Sequence, residues 1–188
     1  MPELRVIAGE FRSRRLKTPH GSDVRPTPDR LREALFNVLA PSIADRVFVD
    51  AYAGTGAVGI EALSRGARRA LFIERSRVAA AIIRGNLASL GIEDRAEVIV
   101  GKAATELPRL EADIVFLDPP YALEREFEQA LSVLGTMTVP LVMVQHPKRM
   151  ELLADYGNLR RTRVLRQGDN ALSFYAVGFQ TNLPSRLI

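Results

Sequence analysis

Short apolar runs alternate with helix-like segments from residue 46 onwards, and this alternation limits the possible fold more than any other feature of the chain. Apolar runs bounded by turn residues predict strands, whereas apolar positions three or four residues apart predict helices. Such alternation is typical of a mostly parallel sheet with helices on both faces, an α/β fold. We predict strands at 46–50, 69–74, 96–100, 112–117 and 139–145, and helices at about 57–65, 76–90, 103–107 and 124–134.

The amino-terminal part departs from this alternation. Residues 4–17 predict a short β-hairpin that turns near Gly9, and residues 18–26 predict a loop that is rich in turn formers. Thr27 has the character of a helix N-cap and is followed by proline, and the apolar spacing after it predicts a helix as far as Leu39.

The carboxyl-terminal part departs from it as well. No helix is predicted between the strand-like segments 159–166 and 171–178, and the residues that join them, Gln167-Gly168-Asp169-Asn170, are typical of a hairpin turn. We therefore expect an antiparallel pair of strands at the edge of the sheet, followed by a loose tail.

The composition excludes several kinds of chemistry. The chain has 188 residues, which suits one domain, and it contains no cysteine and two histidines. Disulfides, thiolate metal ligands and cysteine nucleophiles are therefore excluded, and no metal site is predicted. No apolar run approaches the roughly 20 residues that span a bilayer, and the first residues lack the apolar core of a signal peptide. We expect a cytoplasmic protein.

Basic residues are concentrated in two places. Lysine and arginine number 26 against 22 acidic residues, so their placement matters more than the small net charge. They either form a solvated surface or contact phosphates, and arginine suits the second role because it binds phosphate through two parallel hydrogen bonds. The first cluster includes Arg5, Arg12, Arg14, Arg15, Lys17 and Arg25, and the second is Arg160, Arg161, Arg163 and Arg166.

A glycine-rich turn follows the first predicted strand. Gly54, Gly56 and Gly59 fit the pattern G-x-G-x-x-G, and Glu74 lies 20 residues after Gly54. This arrangement predicts a site for an adenosine-containing cofactor, with the glycines close to the ligand and the acid on the ribose. Asp50 favours S-adenosylmethionine over NAD, because the methionyl ammonium needs a carboxylate near the strand end. A nicotinamide-dependent oxidoreductase and a glycine turn without a ligand remain alternatives.

The tetrapeptide Asp118-Pro119-Pro120-Tyr121 follows the fourth predicted strand. An exocyclic amine of a nucleic-acid base is a poor nucleophile because its lone pair is delocalised into the ring. Two acceptors, the Asp118 carboxylate and the Pro119 carbonyl, can hold its two hydrogens and aim the lone pair at a methyl donor. The prolines stiffen the loop, and Tyr121 can stack on an unstacked base. The alternative is a proline-rich loop with an incidental acid.

Four segments together resemble a known family. D-A-Y-A-G-T-G-A-V-G-I-E-A-L-S-R-G-A (50–67) and D-P-P-Y (118–121) resemble the Rossmann-like amino-methyltransferases. R-V-I-A-G-E-F-R-S-R-R-L (5–16) and R-P-T-P-D-R-L-R-E-A-L-F-N-V-L (25–39) are similar to the bacterial RsmD-type enzymes among them, which methylate a guanine N2 in 16S ribosomal RNA. The resemblance covers about residues 4–178. DNA or a protein side chain remains an alternative substrate, and so does an RNA-binding module without catalysis.

The resemblance implies a seven-stranded sheet with a reversed last strand, and it implies roles for particular residues. We expect a monomer that binds S-adenosylmethionine and ribosomal RNA, within a small-subunit particle or an assembly intermediate, and that does not bind membranes. Cofactor contacts are expected at Asp50, Ala53, Gly54, Thr55, Gly56, Glu74, Arg75, Lys102 and Ala103. Catalysis falls to Asp118, Pro119, Pro120 and Tyr121. RNA contacts are expected at Arg5, Arg12, Arg14, Arg15, Lys17, Arg25 and Thr27.

Domain boundaries follow from the same resemblance. We predict an RNA-facing hairpin and loop over 1–24, a methyltransferase domain over 25–180 and a tail over 181–188. Arg30 and Asn37 match the family pattern, and a structural role that braces the first helix against the sheet is at least as plausible for each. The family often has an acid after the fifth strand, where this chain has Val144-Gln145-His146-Pro147, and we expect His146 to be a hydrogen-bonded structural residue.

Overall fold

The computed structural model describes residues 4–18 and 29–178. Its helices are α1 (Asp29–Leu39), α2 (Ala57–Ser64), α3 (Arg77–Leu90), α4 (Ala103–Glu106) and α5 (Glu124–Leu134). Its strands are β1 (Val47–Asp50), β2 (Arg69–Glu74), β3 (Ala96–Val100), β4 (Ile114–Leu117), β5 (Leu141–Pro147), β6 (Asp155–Tyr156), β7 (Leu159–Gln167) and β8 (Asn170–Val177). No helix within these ranges is long and apolar enough to cross a bilayer.

All the strands form one sheet in the order β3-β2-β1-β4-β5-β8-β7-β6. Strands β1 to β5 are parallel to one another, whereas β8 is antiparallel to β5 and to β7. The predicted mostly parallel sheet, its reversed last strand and its final hairpin are confirmed. The sheet has eight strands rather than seven because β6, a pair of residues beside β7, adds an outer strand that is too short to give an alternating pattern.

The two faces of the sheet are covered by different helices. Side chains of α4 and α5 pack on one face, around Val49, Val115 and Val144. Helix α1 packs on the other face, around Phe48, Phe116 and Met143, and α2 and α3 continue that layer over β2. The sheet is therefore the middle layer of three, as parallel strands joined by helices require.

Prolines account for two of the differences between predicted and observed boundaries. The helix predicted at 103–107 ends at Glu106, because Pro108 lacks an amide hydrogen for the next turn, and residues Leu107–Arg109 form a 3-10 turn. The strand predicted to begin at residue 139 begins at Leu141, after Pro140, and the Leu141 amide donates to the Asp113 carbonyl. The N-cap predicted at Thr27 lies outside the described residues.

The amino-terminal hairpin contains one bridge, between Arg5 and Arg15, rather than two regular strands. It is attached to the domain through buried polar side chains instead. The Glu61 carboxylate on α2 accepts hydrogen bonds from the amides of Ile7 and Ala8, at 2.7 and 3.0 Å. Asn86 on α3 accepts from the Lys17 amide and donates to the Lys17 carbonyl. These contacts fix the hairpin against α2 and α3.

Gly9 is required where the hairpin meets α2. Its φ angle is +82°, a conformation that non-glycine residues adopt at a cost. A Cβ atom there would lie 1.9 Å from the Ser64 carbonyl oxygen. The same carbonyl accepts a hydrogen bond from the Glu10 amide, and the Ser64 hydroxyl donates to the Ala8 carbonyl. The chain therefore turns in direct contact with the end of α2.

Candidate active site

The glycine turn connects the carboxyl end of β1 with α2. The Ala53 amide donates to the Ile73 carbonyl, which ties the turn to β2. Gly54 and Gly56 have φ angles of +54° and +79°, which glycine adopts without strain. A Cβ atom at Gly54 would meet nothing within 4 Å. The backbone at Gly54 is therefore open on the side where another residue would carry its Cβ atom.

Asp50 lies at the bottom of this turn and is 2% exposed. Its Oδ2 accepts a hydrogen bond of 3.1 Å from the Gly59 amide, in the first turn of α2. Burial raises the pKa of Asp50 from 3.8 to about 7, the Gly59 hydrogen bond opposes the rise, and the charges of Asp118 and Glu74 add to it. The charges of Asp118 and Glu74 are thus close enough to Asp50 to disfavour its ionised form, which favours a cationic ligand beside Asp50.

Glu74 ends β2 beside the glycine turn. Its Oε2 accepts from the Gly54 amide at 2.9 Å, and its Oε1 accepts from the Ser76 amide at 2.7 Å. These bonds fix the carboxylate, and each oxygen keeps a further lone pair for another donor. The remaining cofactor candidates flank the same strand ends: Ala53 and Thr55 are buried in the turn, Arg75 is exposed, Lys102 is the exposed N-cap of α4 and Ala103 is buried behind it.

The Asp-Pro-Pro-Tyr segment begins directly after β4. Asp118 is half-buried, Pro119 is buried and Pro120 is exposed. Because β1 and β4 are adjacent, with Asp50 opposite Phe116, the segment leaves the sheet next to the glycine turn. The Pro120 carbonyl accepts from the Leu123 amide at 2.8 Å, which closes a turn before α5. The structure therefore brings the two motifs of the sequence to one edge of the sheet.

The Tyr121 hydroxyl has two partners that the sequence analysis did not identify. It donates to Asn170 Oδ1 at 2.7 Å and accepts from Gln145 Nε2 at 3.2 Å. Asn170 begins β8 and Gln145 lies near the end of β5, so residues 49 and 24 positions away hold this side chain. The available signal was the segment Val144-Gln145-His146-Pro147, where the resemblance leads one to expect an acid.

A second tyrosine connects the two motifs. The Tyr52 hydroxyl, in the glycine turn, donates to Glu126 Oε2 on α5 at 2.9 Å. Burial, followed by the hydrogen bond to Glu126, raises the pKa of Tyr52. The residue before Ala53 therefore links the glycine turn to the helix that follows Asp-Pro-Pro-Tyr.

His146 is a structural residue, as predicted. It is buried, and its Nδ1 and Nε2 lie 3.0 Å from the Pro147 carbonyl and 2.9 Å from the Ser173 hydroxyl. Burial lowers its pKa. Within residues 4–18 and 29–178, no three acidic or histidine side chains are grouped so as to hold a metal ion.

The basic candidates of the hairpin are on the surface. Arg5, Arg12, Arg14, Arg15 and Lys17 are all exposed, whereas Arg25 and Thr27 lie outside the described residues. Arg30 and Asn37 are exposed on α1, so the bracing role weighed for them is wrong. Arg32 on the same helix is fully buried and joins α1 to the amino-terminal hairpin, since it donates to the Arg5 carbonyl at 2.8 Å.

Comparisons with known proteins identify the family of this chain. The family model described as Conserved hypothetical protein 95 matches residues 4–176. "Ribosomal RNA small subunit methyltransferase D" of Escherichia coli (strain K12) is 43% identical over 121 residues, which cover 63% of this chain and 61% of that relative. The matched segment thus spans about three fifths of the relative's length. "Putative rRNA methyltransferase YlbH" of Bacillus subtilis (strain 168) is 31% identical over 181 residues, 92% of this chain and 98% of that relative.

A solved structure shows the same fold. "Putative methyltransferase yhhF from Escherichia coli" superposes with a TM-score of 0.82 at 35% sequence identity, and the alignment covers 95% of this chain and 99% of that one. The predicted α/β methyltransferase fold is therefore confirmed.

Proposed function

Because this chain belongs to the RsmD-like family described as Conserved hypothetical protein 95, we propose that it is an S-adenosylmethionine-dependent methyltransferase of ribosomal RNA. Its substrate is the exocyclic N2 amine of one guanine in small-subunit (16S) RNA. The observation that carries the proposal is the adjacency of β1 and β4, which puts Asp118 beside a buried carboxyl and an open glycine turn. The protein acts as a monomer, in the cytoplasm, on RNA within a small-subunit particle.

The cofactor half of the site is assigned to the ends of β1, β2 and β3. When bound, S-adenosylmethionine supplies a methyl group on a cationic sulfur and leaves as a neutral thioether. The Asp50 carboxylate, buried with a raised pKa, suits an ammonium partner, since a cation restores its ionised form. Glu74 has lone pairs left for the ribose hydroxyls, and the open backbone at Gly54 permits close approach. The other contacts are Ala53, Thr55, Gly56, Arg75, Lys102 and Ala103.

The base half of the site is assigned to Asp118, Pro119, Pro120 and Tyr121. The Asp118 carboxylate and the Pro119 carbonyl accept the two amine hydrogens, so that the nitrogen lone pair points towards the glycine turn. Acceptors fixed in advance need no reorganisation during the reaction, and the two prolines fix them. Tyr121, 38% exposed at the rim, offers its ring for stacking on a base that has left the helix.

Proton transfer needs no strong base in this arrangement. The nitrogen becomes cationic as it forms its new bond to carbon, and its proton is then acidic enough to leave to Asp118 or to water. Asp118 therefore acts mainly by orienting the amine.

The RNA surface is assigned to the amino-terminal hairpin. Arg5, Arg12, Arg14, Arg15 and Lys17 are exposed on it, and Glu61 and Asn86 hold its backbone against the domain. A rigid cationic element of this kind can contact phosphates without ordering itself on binding. Arg25 and Thr27 belong to the same proposed surface.

Methyl transfer to purified substrates tests the proposal. The protein is incubated with tritiated S-adenosylmethionine and small ribosomal subunits from cells that lack this chain or its counterpart, and with the RNA from those subunits. We expect label in 16S RNA, and digestion should yield N2-methylguanosine. An Asp118→Ala variant serves as the background. Label in duplex DNA or protein but not in RNA, or label no greater than with Asp118→Ala, contradicts the proposal.

A further inference from the structure

The end of the Tyr121 side chain is held more firmly than its position on the surface would suggest. The ring is 38% exposed, yet the hydroxyl both donates to Asn170 Oδ1 and accepts from Gln145 Nε2. The two bonds fix the position of the hydroxyl oxygen, which restricts the χ1 torsion. Because a phenolic O–H prefers to lie in the plane of its ring, donation to Asn170 also favours the ring planes, set by χ2, that direct the O–H at Asn170. The described contacts therefore select one orientation of an exposed ring.

The Asn170 acceptor is itself fixed by the sheet. Asn170 pairs with Gln167 across the β7–β8 turn and with Pro147 on β5. The adjacent turn is closed on its other side by the Lys148 amide, which donates to the Asp169 carbonyl at 2.8 Å. Asn170 Oδ1, which accepts from the Tyr121 hydroxyl, therefore belongs to a residue that is paired on both sides within the sheet.

The Gln145 donor is fixed by burial. Its side chain is 4% exposed near the end of β5, and Nε2 is directed to the Tyr121 hydroxyl. Its Oε1 is buried and makes no hydrogen bond with any residue in the described ranges. A buried amide oxygen without a partner is costly, so stability of the fold does not explain a glutamine at this position. The contact with Tyr121 is the interaction that a leucine or methionine would lose.

We propose that Asn170 and Gln145 are positioning residues that hold the Tyr121 ring in the orientation in which it stacks on the target base. That the ring stacks on a base rests on the proposed function. That the ring is held in one orientation rests on the two hydrogen bonds alone. A ring that is already oriented loses less conformational freedom when the base arrives, so the base reaches the Asp118 and Pro119 acceptors in the reactive geometry more often. The Asn170 bond, being shorter, has the larger effect.

A double-mutant cycle tests this inference. Tyr121→Phe removes the hydroxyl and keeps the ring, so Asn170→Ala should lower kcat/KM for RNA about tenfold in the wild-type background and leave it unchanged in the Tyr121→Phe background. Asn170→Asp keeps an acceptor and should retain most of the activity. Binding of S-adenosylhomocysteine should be equal in all variants. An Asn170→Ala loss that is the same in both backgrounds, or no loss in either, overturns the inference.

Gln145→Met gives a second cycle in case Asn170→Ala disturbs the turn. It removes the donor at similar volume, and we expect a loss of about threefold that disappears in Tyr121→Phe. An equal loss in both backgrounds contradicts a role for Gln145.

A spectroscopic measurement separates this inference from the proposed function. The chain has four tyrosines, so 3-fluorotyrosine labelling gives few 19F resonances, and Tyr121→Phe identifies the one from Tyr121. Without any substrate, Asn170→Ala should shift that resonance towards the position of free tyrosine and narrow it. If wild-type protein fails to methylate RNA but shows this change, the proposed function fails and the holding of the ring stands. An unchanged Tyr121 resonance overturns the inference whatever the activity.

Discussion

The two halves of the proposed site are built in different ways. In the cofactor half, the acids are bonded to the adjacent backbone: Asp50 to the Gly59 amide, and Glu74 to the amides of Gly54 and Ser76. In the base half, Tyr121 is an exposed side chain held by side chains from β5 and β8. The cofactor half is thus held by hydrogen bonds to backbone amides at neighbouring strand ends, whereas the base half depends on contacts between side chains. Variants in one half should therefore leave the other half unchanged.

The largest effect is expected from Asp118→Ala. Removing one of two fixed acceptors should lower kcat for RNA methylation about 100- to 1000-fold. The affinity for S-adenosylhomocysteine, measured by calorimetry, should change little or rise slightly, because the variant also removes a charge that repels Asp50. Asp155→Ala is the matched control, since Asp155 is an exposed acid on β6 that pairs only with Arg160 among the described residues. A loss of cofactor affinity as large as the loss of rate would contradict the separation of the halves.

The next largest effect is expected on the stability of the folded protein, through Asp50 in the cofactor half. The raised pKa of Asp50 means that the folded protein binds this proton more tightly than the unfolded chain does. Wild-type stability should therefore fall as the pH rises from about 4 to about 7 and level off above that. Asp50→Asn carries no charge and can still accept from the Gly59 amide. Its gain in free energy of unfolding, measured by urea denaturation without cofactor, should grow over the same window to about 2–4 kcal/mol.

If the difference in free energy of unfolding between Asp50→Asn and wild type stays constant from pH 4 to pH 8, the pKa of Asp50 in the folded protein does not lie near 7. Asp113→Asn provides the comparison. Asp113 lies at the opposite end of β4, where it accepts from the Val47 amide and pairs with Arg46.

The same substitution should weaken cofactor binding. The cofactor's ammonium needs the ionised form of Asp50, so wild-type affinity for S-adenosylhomocysteine should decrease as the pH falls below about 7. Asp50→Asn should bind about tenfold more weakly at pH 8 and should lose most of this pH dependence. An affinity that does not change with pH in the wild type would indicate that Asp50 contacts no charged group of the ligand.

The fold and the cofactor half were largely predictable from the sequence. Strand ends, the glycine turn and Asp118-Pro119-Pro120-Tyr121 are each encoded in a few consecutive residues, and the parallel sheet brings such ends to one edge. The strand β6 was not predictable, because two residues cannot show a period. Glu61 gave a weak signal, as a charged residue within an otherwise apolar helix segment.

The partners of Tyr121 were not predictable at all. Gln145 and Asn170 are distant from Tyr121 in the sequence. The sequence pattern predicts only a strand end at Gln145 and a turn residue at Asn170. Their meeting depends on where β8 enters the sheet, between β5 and β7. The sequence predicts a reversed strand but does not specify which side-chain pairs that order creates.

The smallest effect is expected from the hairpin. Arg12→Glu should weaken binding of small-subunit RNA about threefold at moderate salt and reduce the dependence of binding on salt. Arg109→Glu is the control, because Arg109 is an exposed arginine just before β4 begins, at the end of the sheet remote from the site. Neither variant should alter S-adenosylhomocysteine binding. Equal effects of the two variants on RNA affinity would indicate only a general influence of net charge.

A crystal structure with S-adenosylhomocysteine tests the central claim most directly, because it shows whether the two halves face one another. We expect the ribose on Glu74, the ammonium near Asp50 and the sulfur facing the Asp118 carboxylate, with space for a planar ring beside Tyr121. A ligand whose sulfur faces away from Asp118, or a gap between sulfur and Asp118 that is filled by protein, would contradict the account.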